Sequence, residues 1–345
     1  MSETAKGRGV SQWLGIVVVL GLLTLLLRHV EWDAVRASFS KVDLRFIPVL
    51  VFLVVLNFLI RSWRWRYLLV GGESMSFRSL VDATTAGFMA SFLLPFRAGE
   101  VARPWVLTRW ESIGFGSAAA SIVVERVIDA LVIIGVLSIA AEWIDNAPEW
   151  LEAGTRVLGL IALVGLVMML MAYFFSRAFS KLGRRMIRVF LFPRFLAGLR
   201  NGLYQLMDGF LQGLKAISNG RQLWIVMIAS LALWLEMAVF YQVCLWTLGL
   251  QLSPLAGVMV MVLVALAIAA PGPPGFLGTF QIGCLAALGL FGVSREMGLS
   301  YAVVAHVVQA ACIIPAGLWI LHARGLRLRD SIRSASSAQS DSGED

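Results

Sequence analysis

Long apolar stretches separated by short polar segments dominate the chain up to about residue 321. Six of them approach or exceed the length that an α-helix needs to cross a bilayer, roughly 20 residues. They run from Gly9 to Leu27, from Phe46 into the segment that begins at Arg61, from about Gly116 to Ala141, from Val157 to Ser176, from Gln222 to Leu250, and from Leu299 to Leu321. The pattern predicts an all-α polytopic membrane protein with about six full spans.

Two further apolar segments are interrupted by Pro and Gly. One runs from Leu80 to Leu94 and continues as a moderately polar stretch to Trp110, and the other runs from Pro254 to Val293. A backbone break at membrane depth leaves N–H and C=O groups unpaired, so it is tolerated only where protein or a water-filled cavity receives them. We predict two broken, re-entrant helix pairs, although each could also be two full spans joined by a tight loop. The predicted cavity tips are Pro95, Gly99, Pro271, Pro274, Gly275 and Gly278.

An internal repeat relates the two halves of the chain. Pro95-x3-Gly99 recurs 179 residues later as Pro274-x3-Gly278, and the segment Val123–Asp129 recurs 180 residues later as Val303–Gln309. Each half is predicted to contain a span, a broken pair and a second span, and the number of crossings between them inverts one half relative to the other. Inverted repeats are a recurring plan of transporters.

The repeat defines the domain organisation. The halves cover about residues 46–141 and 226–321, and they are joined by the span 157–176 and a basic segment, 177–221. Residues 1–330 are therefore predicted to form a single transmembrane domain. The Ser-rich residues 331–345 are predicted to be a disordered tail.

Composition and charge favour a membrane protein over a soluble or nucleic-acid-binding one. The chain is 59% hydrophobic and only 14% charged, whereas a soluble domain is roughly 45–50% apolar and 25% charged. A net charge of +8 would suit nucleic acid, but the basic residues lie between apolar runs, which is the positive-inside pattern. We predict that segment 177–221 and both termini are cytoplasmic, that the protein lies in the cytoplasmic membrane, and that it binds no nucleic acid.

The cysteines and aromatic residues do not indicate a catalytic or metal site. Cys244, Cys284 and Cys312 lie in apolar stretches without the spacing of a disulfide framework or metal site, so no metal or cofactor is predicted. The alternating arginines and aromatic residues from Arg61 to Tyr67 are typical of a headgroup-layer belt.

Six charged residues next to the first tip or inside a predicted span are the candidate site. Each costs about 2.5–3.5 kcal/mol on insertion scales when placed at mid-bilayer, so they must pair or face water. Arginine at all three basic positions suits bidentate phosphate binding. Alternatively, the acidic and basic side chains neutralise one another and only hold the helices together. The predicted substrate-binding residues are Arg97, Glu100, Arg103, Glu125, Arg126 and Asp129.

Two other polar residues lie in the apolar helices of the second half. His306 aligns with Arg126 in the repeat and could carry a proton or simply pack by hydrogen bonding. Glu236 has no obvious partner in the sequence and is either a coupling group or an interfacial residue.

Three motifs resemble one known family. They are Leu93-Leu94-Pro95-x-Arg97-x-Gly99-Glu100-x2-Arg103, Ser121-x3-Glu125-Arg126-x2-Asp129 and Pro271-Gly-x2-Gly275-x2-Gly278-Thr279-Phe280. From about residue 10 to 322 the chain resembles the flippase-like membrane region of lysylphosphatidylglycerol synthases and stand-alone proteins of that superfamily. The resemblance implies movement of a lipid between leaflets, with hairpins from both repeats lining a lateral cavity and the six charged residues as the motif positions.

The sequence departs from that family at two points. It contains no counterpart of the soluble aminoacyl-transferring domain, so the resemblance does not imply synthesis of lysyl-phosphatidylglycerol. The position after Gly-Thr-Phe, often acidic in the family, is Gln281, which weakens a coupling role at the second tip.

Lipid translocation is the leading hypothesis from the sequence, with membrane lipids of anionic or zwitterionic headgroup as partners and no catalytic residues. One alternative is a membrane-embedded transferase acting on a lipid. Another is an accessory subunit that positions a separately encoded lipid synthase.

Overall fold

The described part of the chain contains ten α-helices, three short 3₁₀ helices and no strand in the structure, a computed structural model. It describes residues 42–94, 97, 99–144, 147–190, 204, 207, 208, 211, 220–269 and 272–325. The predicted span Gly9–Leu27, the tips Pro95 and Pro271, and the predicted tail 331–345 lie outside the described residues. In chain order the helices are α1 (Ile47–Leu68), α2 (Phe77–Leu93), α3 (Gly99–Trp110), α4 (Phe115–Ala141), α5 (Glu149–Phe174), α6 (Ser176–Phe190), α7 (Gly220–Thr247), α8 (Pro254–Ala269), α9 (Thr279–Gly289) and α10 (Arg295–Ala323).

Four of these helices are long and apolar enough to cross a membrane, namely α1, α5, α7 and α10. Helix α4 is also long, 27 residues or about 40 Å at 1.5 Å per residue, and it carries three charged residues in its middle. Helix α5 begins eight residues before the predicted Val157, because Pro148 is extended and Glu149 and Glu152 occupy the first turn. Acidic side chains there interact favourably with the helix dipole.

The order long, short, short, long occurs twice, in α1–α4 and in α7–α10. The two long helices that begin these series pack against each other in antiparallel directions. At one end the Asp43 N–H donates to the Thr247 carbonyl at 2.8 Å, and at the other Arg64 Nη1 donates to Ser230 Oγ at 3.0 Å. Low residue numbers of α1 therefore meet high residue numbers of α7.

The short helices form two tight hairpins, and small residues allow the close approach. In α2–α3 a Cβ on Gly99 would lie 1.9 Å from the Gly87 carbonyl oxygen, and in α8–α9 a Cβ on Gly283 would lie 2.7 Å from Val264 Cα. Helices of 17, 12, 16 and 11 residues are about 17–26 Å long. Each is shorter than the roughly 30 Å hydrocarbon core of a bilayer.

A cluster of charged residues lies inside this molecule, and large apolar helix surfaces lie outside. Arg64 and Glu125 are 0% exposed, whereas Phe52 and Leu160 are 62% and 63% exposed. A protein in water cannot leave so much apolar helix surface uncovered, but lipid solvates it. The prediction of an integral membrane protein is confirmed.

Candidate functional site

A cavity of about 400 Å³ lies between the two hairpins and the long helices α1, α4, α7 and α10. Most of its wall is aliphatic and aromatic. Its charged lining residues are Arg61, Arg97, Glu100, Arg103, Arg126, Asp129 and Glu236.

Glu125, a central residue of α4, is the hub behind this wall. It is fully buried and does not line the cavity. Four guanidinium groups surround its carboxylate, and the nearest N–O distances are 3.7 Å for Arg61, 3.1 Å for Arg64, 3.0 Å for Arg103 and 2.9 Å for Arg126. A single carboxylate therefore fixes four arginines that come from three different helices.

Asp129, one turn further along α4, ties the cluster to α1 and α7. Arg64 Nη1 lies 2.5 Å from its Oδ1, and Arg126 Nη2 lies 3.4 Å from its Oδ2. The indole Nε1 of Trp234 also donates to Oδ1 at 3.2 Å. Asp129 thus joins both halves of the described fold.

Arg97 and Glu100 lie at the less buried edge of the cluster. Arg97 Nη1 is 3.4 Å from Glu100 Oε1, and Arg126 Nε is 4.0 Å from the same oxygen. Arg97 also donates to the Ala269 carbonyl at 3.4 Å. The first hairpin therefore contacts the end of α8 in the second hairpin through Arg97.

Arg103 and Arg61 have N–H groups that donate no hydrogen bond to any group in the described residues. The Nε and Nη2 atoms of Arg103 and the Nε of Arg61 are buried without a hydrogen-bond partner there. Their guanidinium groups stack on rings, Arg103 on Trp65 at 3.9 Å and Arg61 on Phe88 at 4.7 Å. Both side chains are therefore held in place while part of their hydrogen-bonding capacity is unused.

The structure brings all six sequence-predicted site residues into one ion-pair network, and it adds Arg61 and Arg64. The interpretation of these two arginines as part of a headgroup belt is wrong, because both are buried. The alternation of arginines with aromatic residues is also typical of an interfacial belt. Positions 61, 64, 65 and 68, however, share one helix face. That spacing was the signal that could have found them.

The second predicted tip, residues 274–278 between α8 and α9, lies against the first hairpin, α2–α3. The rings of Phe92 and Phe276 are 6.1 Å apart, and His306 lies between Phe92 and Phe280 at centroid distances of 5.6 and 4.8 Å. Gly275, with φ of +65°, allows this approach, because a Cβ there would lie 3.3 Å from the Phe92 carbonyl oxygen.

The three candidate coupling residues differ in their surroundings. His306 lines the cavity, and within the described residues its Nδ1 has no hydrogen-bond partner. Glu236 also lines the cavity and has the partner that the sequence did not reveal, since Asn57 Nδ2 donates to its Oε2 at 2.6 Å. Gln281 is not a lining residue, and its amide oxygen accepts the N–H of Gly278 at 2.7 Å. No group of three or more His, Cys, Asp or Glu residues that could hold a metal occurs in the described ranges.

Comparison with known proteins agrees with the resemblance predicted from the motifs. A family model described as the lysylphosphatidylglycerol synthase TM region matches residues 12–317. The glycosyltransferase AglD of Haloferax volcanii is 23% identical over 346 residues, which cover 88% of this chain and 53% of AglD. The chain thus spans about half the length of this curated relative.

Proposed function

We propose that this chain, which belongs to the lysylphosphatidylglycerol synthase TM region family, moves a lipid with a phosphate-bearing headgroup between the two leaflets of the membrane. The observation that carries the proposal is the surplus of arginine charge beside the cavity. Among the described residues, Arg61, Arg64, Arg97, Arg103 and Arg126 form ion pairs with three carboxylates, those of Glu100, Glu125 and Asp129. The arginines remain in excess when the fourth acid beside the cavity, Glu236, is counted as well. Unbalanced charge at membrane depth is costly, and a bound anion would offset it.

Phosphate is the anion that suits the geometry. Guanidinium groups present planar forks of donors that match phosphate oxygens, and the unused donors of Arg61 and Arg103 belong to residues that line the cavity. In this proposal Arg61, Arg97, Arg103 and Arg126 contact the phosphate. Glu100 and Asp129 orient these arginines from the cavity wall.

The proposed architecture is an inverted repeat with re-entrant hairpins. It is supported by the repeated order of helices, by the antiparallel packing of α1 and α7, and by hairpin helices too short to span the hydrocarbon core. The two tips, including Gly99, Pro274, Gly275 and Gly278, would then meet near the midplane. We place both termini in the cytoplasm and the protein in the cytoplasmic membrane, in accordance with the positive-inside rule.

A leaflet-exchange assay in liposomes tests the proposal. The purified protein is reconstituted with a fluorescent phospholipid, and the rate at which the lipid becomes accessible to an external quencher is measured. We expect Arg126→Ala and Glu100→Ala to slow exchange by about tenfold or more, since each removes a charge-assisted contact. Arg156→Gln is the matched control, because Arg156 is exposed on α5 and pairs with Glu152. Unchanged exchange by correctly folded Arg126→Ala and Glu100→Ala would overturn the assignment.

Lipid-linked group transfer is the second candidate, and the name of the relative AglD, a glycosyltransferase, favours it. An enzyme of this kind would convert a lipid to a product of different mass. Mass spectrometry of lipids incubated with the purified protein and a nucleotide-sugar separates the two candidates, since translocation leaves the mass unchanged.

A further inference from the structure

Glu236 is an acidic residue of the cavity wall that lies near Arg61 but, among the described residues, forms no ion pair with the arginine cluster. It is 7% exposed, and its hydrogen-bond donor is the neutral amide of Asn57. In the described part of the chain no Lys, Arg or His nitrogen lies within 4.0 Å of its carboxylate. A carboxylate in a membrane cavity is costly unless it has a cationic partner, and a ligand could supply that partner.

Asn57 and Glu236 also occupy a special position in the fold. They are 179 residues apart, which is the offset of the sequence repeat, and they face each other where the antiparallel helices α1 and α7 meet. A purely structural contact between two equivalent positions would be satisfied by two amides. The acid on one side instead adds a charge to the cavity wall.

Asn57 and Arg61 are spaced along α1 on the scale of one small headgroup. Asn57 and Arg61 are one helical turn apart on α1, a rise of about 6 Å, and Met237, the neighbour of Glu236, contacts Arg61 Nη2 at 3.9 Å. A negative and a positive group thus lie side by side on one wall. The rise of about 6 Å between Asn57 and Arg61 is of the same order as the distance between phosphorus and nitrogen in a phosphoethanolamine.

The surroundings of Glu236 also suit an ammonium group. Phe240, one turn further along α7, and Tyr241 line the same cavity, and aromatic faces attract cations. A primary ammonium has three donors, and the carboxylate of Glu236 and the amide oxygen of Asn57 offer acceptors. Building on the proposed function, we infer that Glu236 and Asn57 bind the primary ammonium of a zwitterionic, phosphoethanolamine-type lipid headgroup whose phosphate lies against Arg61.

Two lipids that differ only at nitrogen test this inference. Chain-labelled phosphatidylethanolamine and its N-acetyl derivative share the phosphate and the two-carbon link, but the derivative lacks the ammonium. We expect the wild-type protein to exchange phosphatidylethanolamine about tenfold faster, a difference typical of one lost charge-assisted contact. Glu236→Gln should abolish this preference, and Glu296→Gln, at the start of α10 and outside the cavity lining, should retain it.

A binding measurement separates failure of the inference from failure of the proposed function. Retention of the same two lipids by the detergent-solubilised protein is measured by native mass spectrometry, which requires no transport. A preference for phosphatidylethanolamine that Glu236→Gln removes supports the ammonium site even if neither lipid is exchanged in liposomes. Equal binding of both lipids by the wild type, or a preference that persists in folded Glu236→Gln, would overturn it.

Discussion

Arginine occupies two opposite environments in this protein, the buried cluster around Glu125 and the surface helix α6. In the cluster Arg64 and Arg103 are 0% and 3% exposed and contact fixed carboxylates. In α6 the basic residues are exposed along one side, and Leu182 and Met186 are exposed on the other. The basic residues of α6 are Arg177, Lys181, Arg184, Arg185 and Arg188.

The difference teaches that burial and pairing, rather than residue type, determine what these charges do. In the described residues, Arg184 is the α6 cation with an acidic partner, Asp208 at 2.6 Å. Exposed pairs of this kind contribute about 0–1 kcal/mol, whereas breaking a buried pair costs about 3–5 kcal/mol. Substitutions in the two regions should therefore differ greatly in effect.

Glu125→Gln should have the largest effect on stability. The change keeps the shape of the side chain but removes the negative charge that four arginines surround, so they repel one another in a buried site. We expect the free energy of unfolding in detergent micelles to fall by about 3–5 kcal/mol. The control is Glu152→Gln, which breaks the exposed pair with Arg156. It should change the free energy of unfolding by less than about 1 kcal/mol. Similar losses in both variants would contradict the hub role of Glu125.

Arg103→Lys should have an intermediate effect, because it keeps the charge but not the guanidinium plane. Arg103 Nη1 donates to both carboxylate oxygens of Glu125, at 3.1 and 3.0 Å, and the plane stacks on Trp65. Loss of these contacts should cost about 1–2 kcal/mol of stability and slow lipid exchange.

Arg188→Lys on α6 is the matched control for Arg103→Lys. Arg188 is exposed, so the same substitution should leave both the stability in detergent and the exchange rate unchanged. If the two variants behave alike, the guanidinium geometry at position 103 has no special role.

The helical class and most helix positions could be predicted from the sequence, because apolar runs and Pro/Gly breaks are local signals. Helix α4 was found in spite of its charges because its apolar residues continue on both sides of them. The grouping of Arg97, Arg103 and Glu125 into one site was also expected, because charges in a bilayer must pair or face water. These features depend on short-range pattern and on the cost of charge in a bilayer.

Contacts between distant segments could not be predicted in the same way. The hydrogen bond between Asn57 and Glu236 joins positions 179 residues apart, and nothing in the neighbourhood of either residue reveals the other. Arg61 and Arg64 were assigned to the surface because the aromatic residues between them suggested an interface. The spacing of positions 61, 64, 65 and 68 places both arginines on one helix face, but the rotation of α1, which is set by its packing on α4 and α7, determines whether that face is buried.

The double substitution Arg185→Gln with Arg188→Gln on α6 should have the smallest effect on folding. Both side chains are exposed, and no ion pair of theirs occurs among the described residues, so the free energy of unfolding in neutral micelles should change by less than about 1 kcal/mol. In micelles that contain anionic lipid, each basic residue near the surface contributes about 1 kcal/mol of attraction. We therefore expect anionic lipid to raise the melting temperature of the wild type, and we expect this rise to shrink in the double variant and to disappear at high salt, which screens surface charge. A loss of stability in neutral micelles as large as that of Glu125→Gln would mean that α6 is part of the folded core, and the contrast between the two arginine populations would fail.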